Sequence, residues 1–343
     1  MRIPKELRWQ PTGHTLGRGG QASVVEVIDR TSPEAPPCAL KALAEGRPTT
    51  AYERFYREVE AIRRLSHPSI VSIVDHSQPD ASFHYYVMRY RPDAASLKRH
   101  ITAGTCPFVG SPLSAVLFFR ALADAVAAWT AVGVVHRDLS PANVLLLPDL
   151  SIQVIDFGLC QILDGETLTL SDEGVGTPNY MAPECESGAE EQIGVGADLY
   201  SAGKLLWTAI TGNIAFAREE PVTASKAMSR MLPNAPGAWH LQEIFARTIR
   251  RSPLQRYRTA VEALRHAEEI MNVIQSGALP IEKIAEGVCP LCRLGKLKGF
   301  SGSHMVFGNP NPVGIVALQC GRCGYCFAWN RQRAQQSISD REE

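Results

Sequence analysis

Apolar positions change their spacing several times along this chain, and each change predicts an element. Residues 12–30 read as a strand, a turn built on Gly17, Gly19 and Gly20, and a second strand. From Ala51 to Leu65 the period lengthens. Tyr52, Phe55, Val59 and Ile62 recur at three- and four-residue intervals there, which predicts a helix with one buried face. Residues 70–76 and 83–90 predict two more strands, and Ser96–Ile101 begins a second half with a long helix from about Ser114 to Ala131. The apolar run Ala115–Val135 is interrupted by Arg120 and Asp124, so it reads as an amphipathic-to-buried helix rather than a membrane span. Val144–Leu147 and Ile152–Ile155 predict two short strands. Near the C-terminus, Lys296–Phe300, His304–Phe307 and Gly314–Leu318 are strand-like runs separated by Gly, Asn and Pro turns.

Length and charge narrow the class. The 343 residues suffice for one large two-lobed core and a small appendage. The 35 basic and 35 acidic side chains give no overall pull toward nucleic acid or membrane. Met1-Arg2-Ile3-Pro4-Lys5 lacks the apolar core of a signal peptide, so the expectation is a soluble cytoplasmic protein with no membrane partner. Cys38, Cys106, Cys160 and Cys185 stand singly, as reduced thiols do in a cytosolic enzyme. Cys289, Cys292, Cys320, Cys323 and Cys326 crowd the C-terminal end, and C-x-x-C pairs in a reducing compartment suggest a metal.

The chemistry concentrates in Val135-His136-Arg137-Asp138-Leu139-Ser140-Pro141-Ala142-Asn143 and in Asp156-Phe157-Gly158. These stretches resemble the catalytic loop and D-F-G of protein kinases. The reaction this resemblance implies explains the residue types, since phosphoryl transfer needs oxygens positioned for hard cations and a carboxylate beside the attacking hydroxyl. Upstream, Leu16-Gly17-Arg18-Gly19-Gly20-Gln21-Ala22-Ser23-Val24 resembles the glycine-rich loop, with Ala22 at the third glycine. Cys38-Ala39-Leu40-Lys41 resembles V-A-I-K, and Glu58 lies in the matching R-E-V-x-x-I setting, with Leu65-Ser66-His67-Pro68 following. Tyr86-Val87-Met88-Arg89-Tyr90-Arg91 is similar to the strand entering the hinge, with Met88 as gatekeeper and Arg89 where the family often has Glu. Gly176-Thr177-Pro178-Asn179-Tyr180-Met181-Ala182-Pro183-Glu184 resembles the end of a Ser/Thr-kinase activation segment.

Over residues 8–272 this resemblance implies an α+β, two-lobed, Hanks-type Ser/Thr protein kinase. The N-lobe, about 8–90, would be a five-stranded antiparallel sheet, and the C-lobe, about 92–272, mainly helical. It implies Asp138 as base, a Lys41–Glu58 ion pair on the inner phosphates, and Asn143 and Asp156 holding Mg2+ or Mn2+ on ATP. Leu16, Gly17, Gly19, Val24, Ala39, Lys41, Met88, Tyr90 and Leu145 would line the nucleotide site. Asp198, in Ala197-Asp198-Leu199-Tyr200, would hold the catalytic-loop backbone, and Arg256 would pair with Glu184 as scaffold. Arg137 would read a phosphate on Thr169 or Ser171, with Thr167 a weaker acceptor and Asp172 or Glu173 as constitutive substitutes. Protein substrates with Ser/Thr acceptors are the implied partners. One position departs from the pattern. Ser140 stands where such kinases usually place a Lys on the transferring phosphate, a loss of ~10²–10³ in rate if nothing replaces it. The rival reading is therefore a pseudokinase scaffold that binds nucleotide without efficient transfer.

Beyond a linker at 273–287, residues 288–330 resemble a zinc ribbon. Val288-Cys289-Pro290-Leu291-Cys292 and Cys320-Gly321-Arg322-Cys323-Gly324 look like its two knuckles, and four thiolates suit a closed tetrahedral structural Zn2+. Cys326 and His304 are alternative ligands, with Cys323 preferred over Cys326 because Gly324 follows it. From Gly287 to Ser339 the chain holds Arg293, Lys296, Lys298, Arg322, Arg331 and Arg333 and no acid, a charge of +6 that four thiolates and one Zn2+ bring to +4. With Phe300, Phe327 and Trp329 interleaved, that is the composition of a surface for nucleic acid or another acidic partner. The polar tail, 331–343, reads as disordered, with Ser337 and Ser339 as candidate phosphorylation sites.

Overall fold

The structure, a computed structural model, describes residues 3–18, 22–162, 179–186, 193–216, 228–232, 234–235, 237–276, 297–299, 315–320 and 326–330. Alternation of apolar and polar side chains builds the first layer. Strands β1 (Trp9–Arg18), β2 (Ala22–Asp29), β3 (Cys38–Leu43), β4 (Ile73–His76) and β5 (Tyr85–Arg89) form an antiparallel sheet in the order β1-β2-β3-β5-β4. The five expected strands are all present. Register shifts after Pro11 and after Thr15 bend β1 over β2. Helix α1 (Thr49–Arg63) crosses the sheet on the face that Ala51, Phe55, Val59 and Ile62 bury. Phe55, Val59, Leu43 and Tyr86 form one apolar cluster there.

The second half opens with β6 (Ala95–Ser96) and α2 (Leu97–Thr102), whose first turn is capped by Ser96 Oγ accepting from Arg99 N–H at 3.2 Å. Then come α3 (Pro112–Ala131), β7 (Val134–Val135), β8 (Val144–Leu146), β9 (Ile152–Val154) and β10 (Gln161–Ile162). β6, β8 and β9 make a small antiparallel sheet, and β7 pairs with β10. Helices α4 (Pro183–Glu186), α5 (Val195–Thr211), α6 (Met228–Met231), α7 (Leu241–Thr248) and α8 (Ala260–Ser276) complete the lobe. α5 is buried along almost its whole length, from Ala197 to Ile210, and ends on Gly212 at φ 71°. α8 runs to Ser276, four residues into the segment read as linker.

α3 is long and apolar enough to cross a membrane by length and composition alone. Here it is packed against α5 and α8, with Phe118, Phe119, Leu122, Val126 and Trp129 buried, as expected of a core helix. The two lobes join where Val71 N–H donates to Val154 O at 3.0 Å and Val154 N–H to Ser69 O at 2.8 Å.

Near the C-terminus, β11 (Leu297–Gly299), β12 (Ile315–Cys320) and β13 (Cys326–Asn330) form an antiparallel sheet in that order. β11 and β12 match two of the expected runs. The third, His304–Phe307, lies outside the described residues. β13 was not anticipated, because it follows directly on glycine and cysteine positions that read as turn.

Candidate active site

Cross-strand register builds the N-lobe side of the site. Val24 on β2, Lys41 on β3 and Tyr86 on β5 stand opposite one another, so they share one face. Ala39 and Met88 are likewise paired on that face, and Gly17 faces Val24 across β1 and β2. Ala39 is buried, Val24, Met88 and Tyr90 are half-buried, and Leu16 is exposed at the rim. Leu145, from β8, is half-buried on the other lobe. Gly19 lies outside the described residues.

Lys41 Nζ reaches both Glu58 oxygens at 2.8 Å and Asp156 Oδ1 at 3.0 Å. Three segments distant in sequence meet on one ammonium. Glu58 is 2% exposed and also accepts from the Tyr86 hydroxyl at 2.9 Å and from Phe157 N–H at 3.1 Å. Burial pushes the Glu58 carboxyl up to about 7, with Lys41 pulling the other way. Burial disfavours the Lys41 charge too, but Glu58, Tyr86 and Asp156 outweigh it and hold the amine protonated. At Asp156 the desolvation is likewise overcome by Lys41, and the carboxyl lies below its ordinary range. Tyr86 is the functional residue that sequence reasoning missed. Its signal was present in the pairing of Lys41 with Tyr86, but register is invisible until the strands are aligned.

The C-lobe side is held by α5. Asp198 is fully buried and accepts from His136 N–H and Arg137 N–H at 2.9 Å each, and from Trp129 Nε1–H at 2.8 Å. Burial raises its carboxyl, opposed by His136 and these donors. The loop so pinned carries Arg137 at φ 68°, and Asp156 sits at φ 64°, both uncommon for side-chain-bearing residues and located at the site. Phe157 packs on the His136 ring, 4.4 Å between centroids, and edge-on to Trp129 at 5.7 Å. Asn143 Nδ2 donates to the Asp138 carboxylate at 3.0 Å and to Asp138 O at 2.9 Å, leaving its amide oxygen for a cation. Asp156 commits Oδ1 to Lys41, which leaves Oδ2 on a side chain that is 46% exposed. Two oxygens on adjoining segments fit a hard divalent cation that takes its remaining ligands from phosphate and water.

Ser140 is buried at 2% exposure, and its carbonyl closes the turn by accepting from Asn143 N–H at 3.0 Å. Arg256 pairs with Glu184 through Nη1 at 2.5 Å and Nη2 at 2.8 Å. The acceptors expected for Arg137, Thr167, Thr169 and Ser171, lie outside the described residues, as do Cys289, Cys292, Cys323 and His304.

The family model of the protein kinase domain matches residues 11–266, and the chain belongs to that family. It is 31% identical over 263 residues to a probable serine/threonine-protein kinase of Streptomyces coelicolor, covering 73% of this chain and 38% of the relative. To the serine/threonine-protein kinase PknB of Mycobacterium leprae it is 30% identical over 263 residues, covering 73% and 41%. The chain thus spans about two fifths of these curated relatives. Among solved structures, the PknI kinase domain of Mycobacterium tuberculosis superposes with a TM-score of 0.56 at 26% identity, covering 77% of this chain and 96% of that one.

Proposed function

We propose that this protein transfers the γ-phosphate of ATP to serine or threonine hydroxyls of protein substrates. The observation that carries the reading is the convergence of Glu58 and Asp156 on Lys41, beside an Asp138–Asn143 pair pinned to α5 through Asp198. Bound Mg2+ and ATP supply the transferable phosphoryl group and spread its charge. Lys41, fixed by Glu58, orients the inner phosphates. Asn143 and Asp156 would hold the cation. Asp138, oriented by the Asn143 amide, takes the proton of the acceptor hydroxyl.

With purified protein, Mg2+ and labelled ATP, we expect phosphorylation on Ser or Thr that falls at least ~10²-fold in Asp138→Asn and in Asp156→Ala. Ser140→Lys should raise the rate or leave it unchanged. Nucleotide binding without transfer, across generic acceptors and metals, would instead assign the chain to the scaffold class that Ser140 favours.

The C-terminal segment is a zinc ribbon in the same reading, with Cys289, Cys292, Cys320 and Cys323 as ligands. Cys320 ends β12 and Cys326 begins β13, and the antiparallel pairing of the two strands brings Cys320 and Cys326 to the same end of this sheet. Its excess of basic residues suits an acidic protein or nucleic acid as partner. A cytoplasmic location goes with this reading, supported by the unpaired thiols Cys38, Cys106, Cys160 and Cys185 among the described residues.

A further inference from the structure

A third side chain touches both halves of the Lys41–Glu58 pair. Tyr86 stands opposite Lys41 in the register of β3 and β5, and Lys41 Nζ lies 5.6 Å from the centre of its ring. The Tyr86 hydroxyl donates to Glu58 Oε1 at 2.9 Å, on a residue that is 1% exposed. Its ring also packs on Phe55, 5.5 Å between centroids, and Phe55 lies three residues before Glu58 on the same side of α1. Tyr86 therefore grips α1 at two points, one apolar and one polar. The strand that carries it is suited to that. β5 lies between β3 and β4 and is paired with both, so the phenol projects from the interior of the sheet rather than from a free edge.

Glu58 loads its two oxygens unequally. Oε1 accepts from Lys41 Nζ at 2.8 Å, from the Tyr86 hydroxyl and from Phe157 N–H at 3.1 Å, while Oε2 accepts from Lys41 Nζ at 2.8 Å. The terminal torsion of a glutamate is broad and roughly two-fold, so an ammonium that bonds both oxygens does not by itself choose the plane of the carboxylate. That ammonium also rides on a flexible four-carbon stem. A phenol has only two side-chain torsions, and packing fixes both here. It is the rigid side-chain donor of the set, and it holds Oε1 where Phe157 N–H can reach it.

We propose that Tyr86 is a positioning residue for phosphoryl transfer, its hydroxyl fixing the Glu58 carboxylate and, through it, the place of Lys41 on the inner phosphates. It acts through Glu58 and touches neither nucleotide nor cation. The inference rests on the kinase reading for what Lys41 does, while the hold of Tyr86 on Glu58 belongs to the fold. A misplacement of ~1 Å at such a group costs as much as ~10²-fold in rate.

The test is Tyr86→Phe in the full chain, which deletes the hydroxyl and keeps the ring against Phe55 and Lys41. We expect kcat/KM for ATP to fall about tenfold with KM for a generic protein substrate unchanged, and the affinity for a fluorescent ATP analogue with Mg2+ to fall about threefold. In a Glu58→Ala background the same change should alter each of these less than twofold, because its target is gone. A merely structural tyrosine would act alike in both backgrounds. Should Tyr86→Phe melt early because Oε1 is left short of a donor, the change made in Glu58→Ala must not lower the melting temperature further. Equal losses in the two backgrounds, unchanged kcat/KM and analogue affinity in Tyr86→Phe, or a KM for the protein substrate that rises as much as that for ATP would overturn the proposal. Analogue binding needs no transfer. Loss of analogue affinity in Tyr86→Phe that vanishes with Glu58→Ala, in a chain that phosphorylates no acceptor, would sink the kinase reading and leave the hold of Tyr86 on Glu58 and Lys41 standing.

Discussion

Glu58 carries opposing demands. Its carboxyl must be ionised to hold Lys41, yet burial lifts it from an ordinary 4.5 to about 7. Because the folded-state value is raised, the contribution of Glu58 to stability is fully present below about 4.5 and is lost as pH rises through about 7. Activity follows the opposite sign. We expect kcat/KM for ATP to fall up to tenfold per unit below about pH 7, and Glu58→Gln to be slow but flat over the same range. A pH–rate series on both proteins checks this. An acid limb that survives in the Gln variant would mean that another group titrates. At this scale Lys41, Glu58, Asp138, Asn143 and Asp156 were legible in the sequence, since each chemistry-bearing residue sits in a local run with few alternatives. Tyr86 was not, because its hydroxyl meets Glu58 only through the pairing of two strands and the packing of a helix.

At the scale of elements, α5 and α7 approach so closely that no side chain fits between them at one point. A Cβ on Gly203 would lie 2.2 Å from Thr248 Oγ1 and 2.6 Å from Thr248 Cβ. Thr248 cannot swing aside freely, because its hydroxyl donates to Ile244 O at 2.8 Å within α7. Gly203→Ala gains helix propensity of ~1 kcal/mol, but the forced separation costs about 1–3 kcal/mol or more. We expect a net loss of stability in urea titration, most of it recovered in Gly203→Ala combined with Thr248→Ala. Full additivity of the two changes would show that the helices do not meet there. Periodicity made β1, β2, β4, β5, α1 and α3 legible, with ends displaced by a few residues, whereas β3 and the start of α5 were reached only through the resemblance of their motifs. α1 begins at Thr49 where the pattern pointed to Ala51, since Pro48 fixes the entry and not the first apolar position. β13 escaped for a different reason, its five residues being too short to show alternation beside a run of turn-forming positions.

For the molecule as a whole, the proposed division of labour is between a catalytic fold with its own core and an appendage stapled by metal. Metal analysis should give one Zn2+ per chain, lost in Cys289→Ser and Cys320→Ser and kept in Cys326→Ser. A structural zinc contributes on the order of 10–16 kcal/mol to so small a unit, so those two losses should unfold residues 288–330. Truncation near Gly277, just past α8, should leave phosphorylation of a generic substrate within about threefold, as the lobes bury their own apolar surface. A folded but inactive truncation would make the appendage part of the enzyme. Two lobes were readable in order from the motifs, because each motif belongs to one lobe and they follow one another along the chain.

The packing of α3 has a consequence during synthesis. Its 20 residues are complete at Ala131, but α8, which covers one side of it, begins only at Ala260. At translation rates of about 5–20 residues per second, that face stays bare for roughly 6–26 s. In that interval the nascent chain displays the α8-facing side of an apolar helix of membrane-spanning length, which is a target for any factor that binds exposed apolar surface. Codon changes that slow the passage between the two helices should therefore lower the yield of folded protein without altering a single residue.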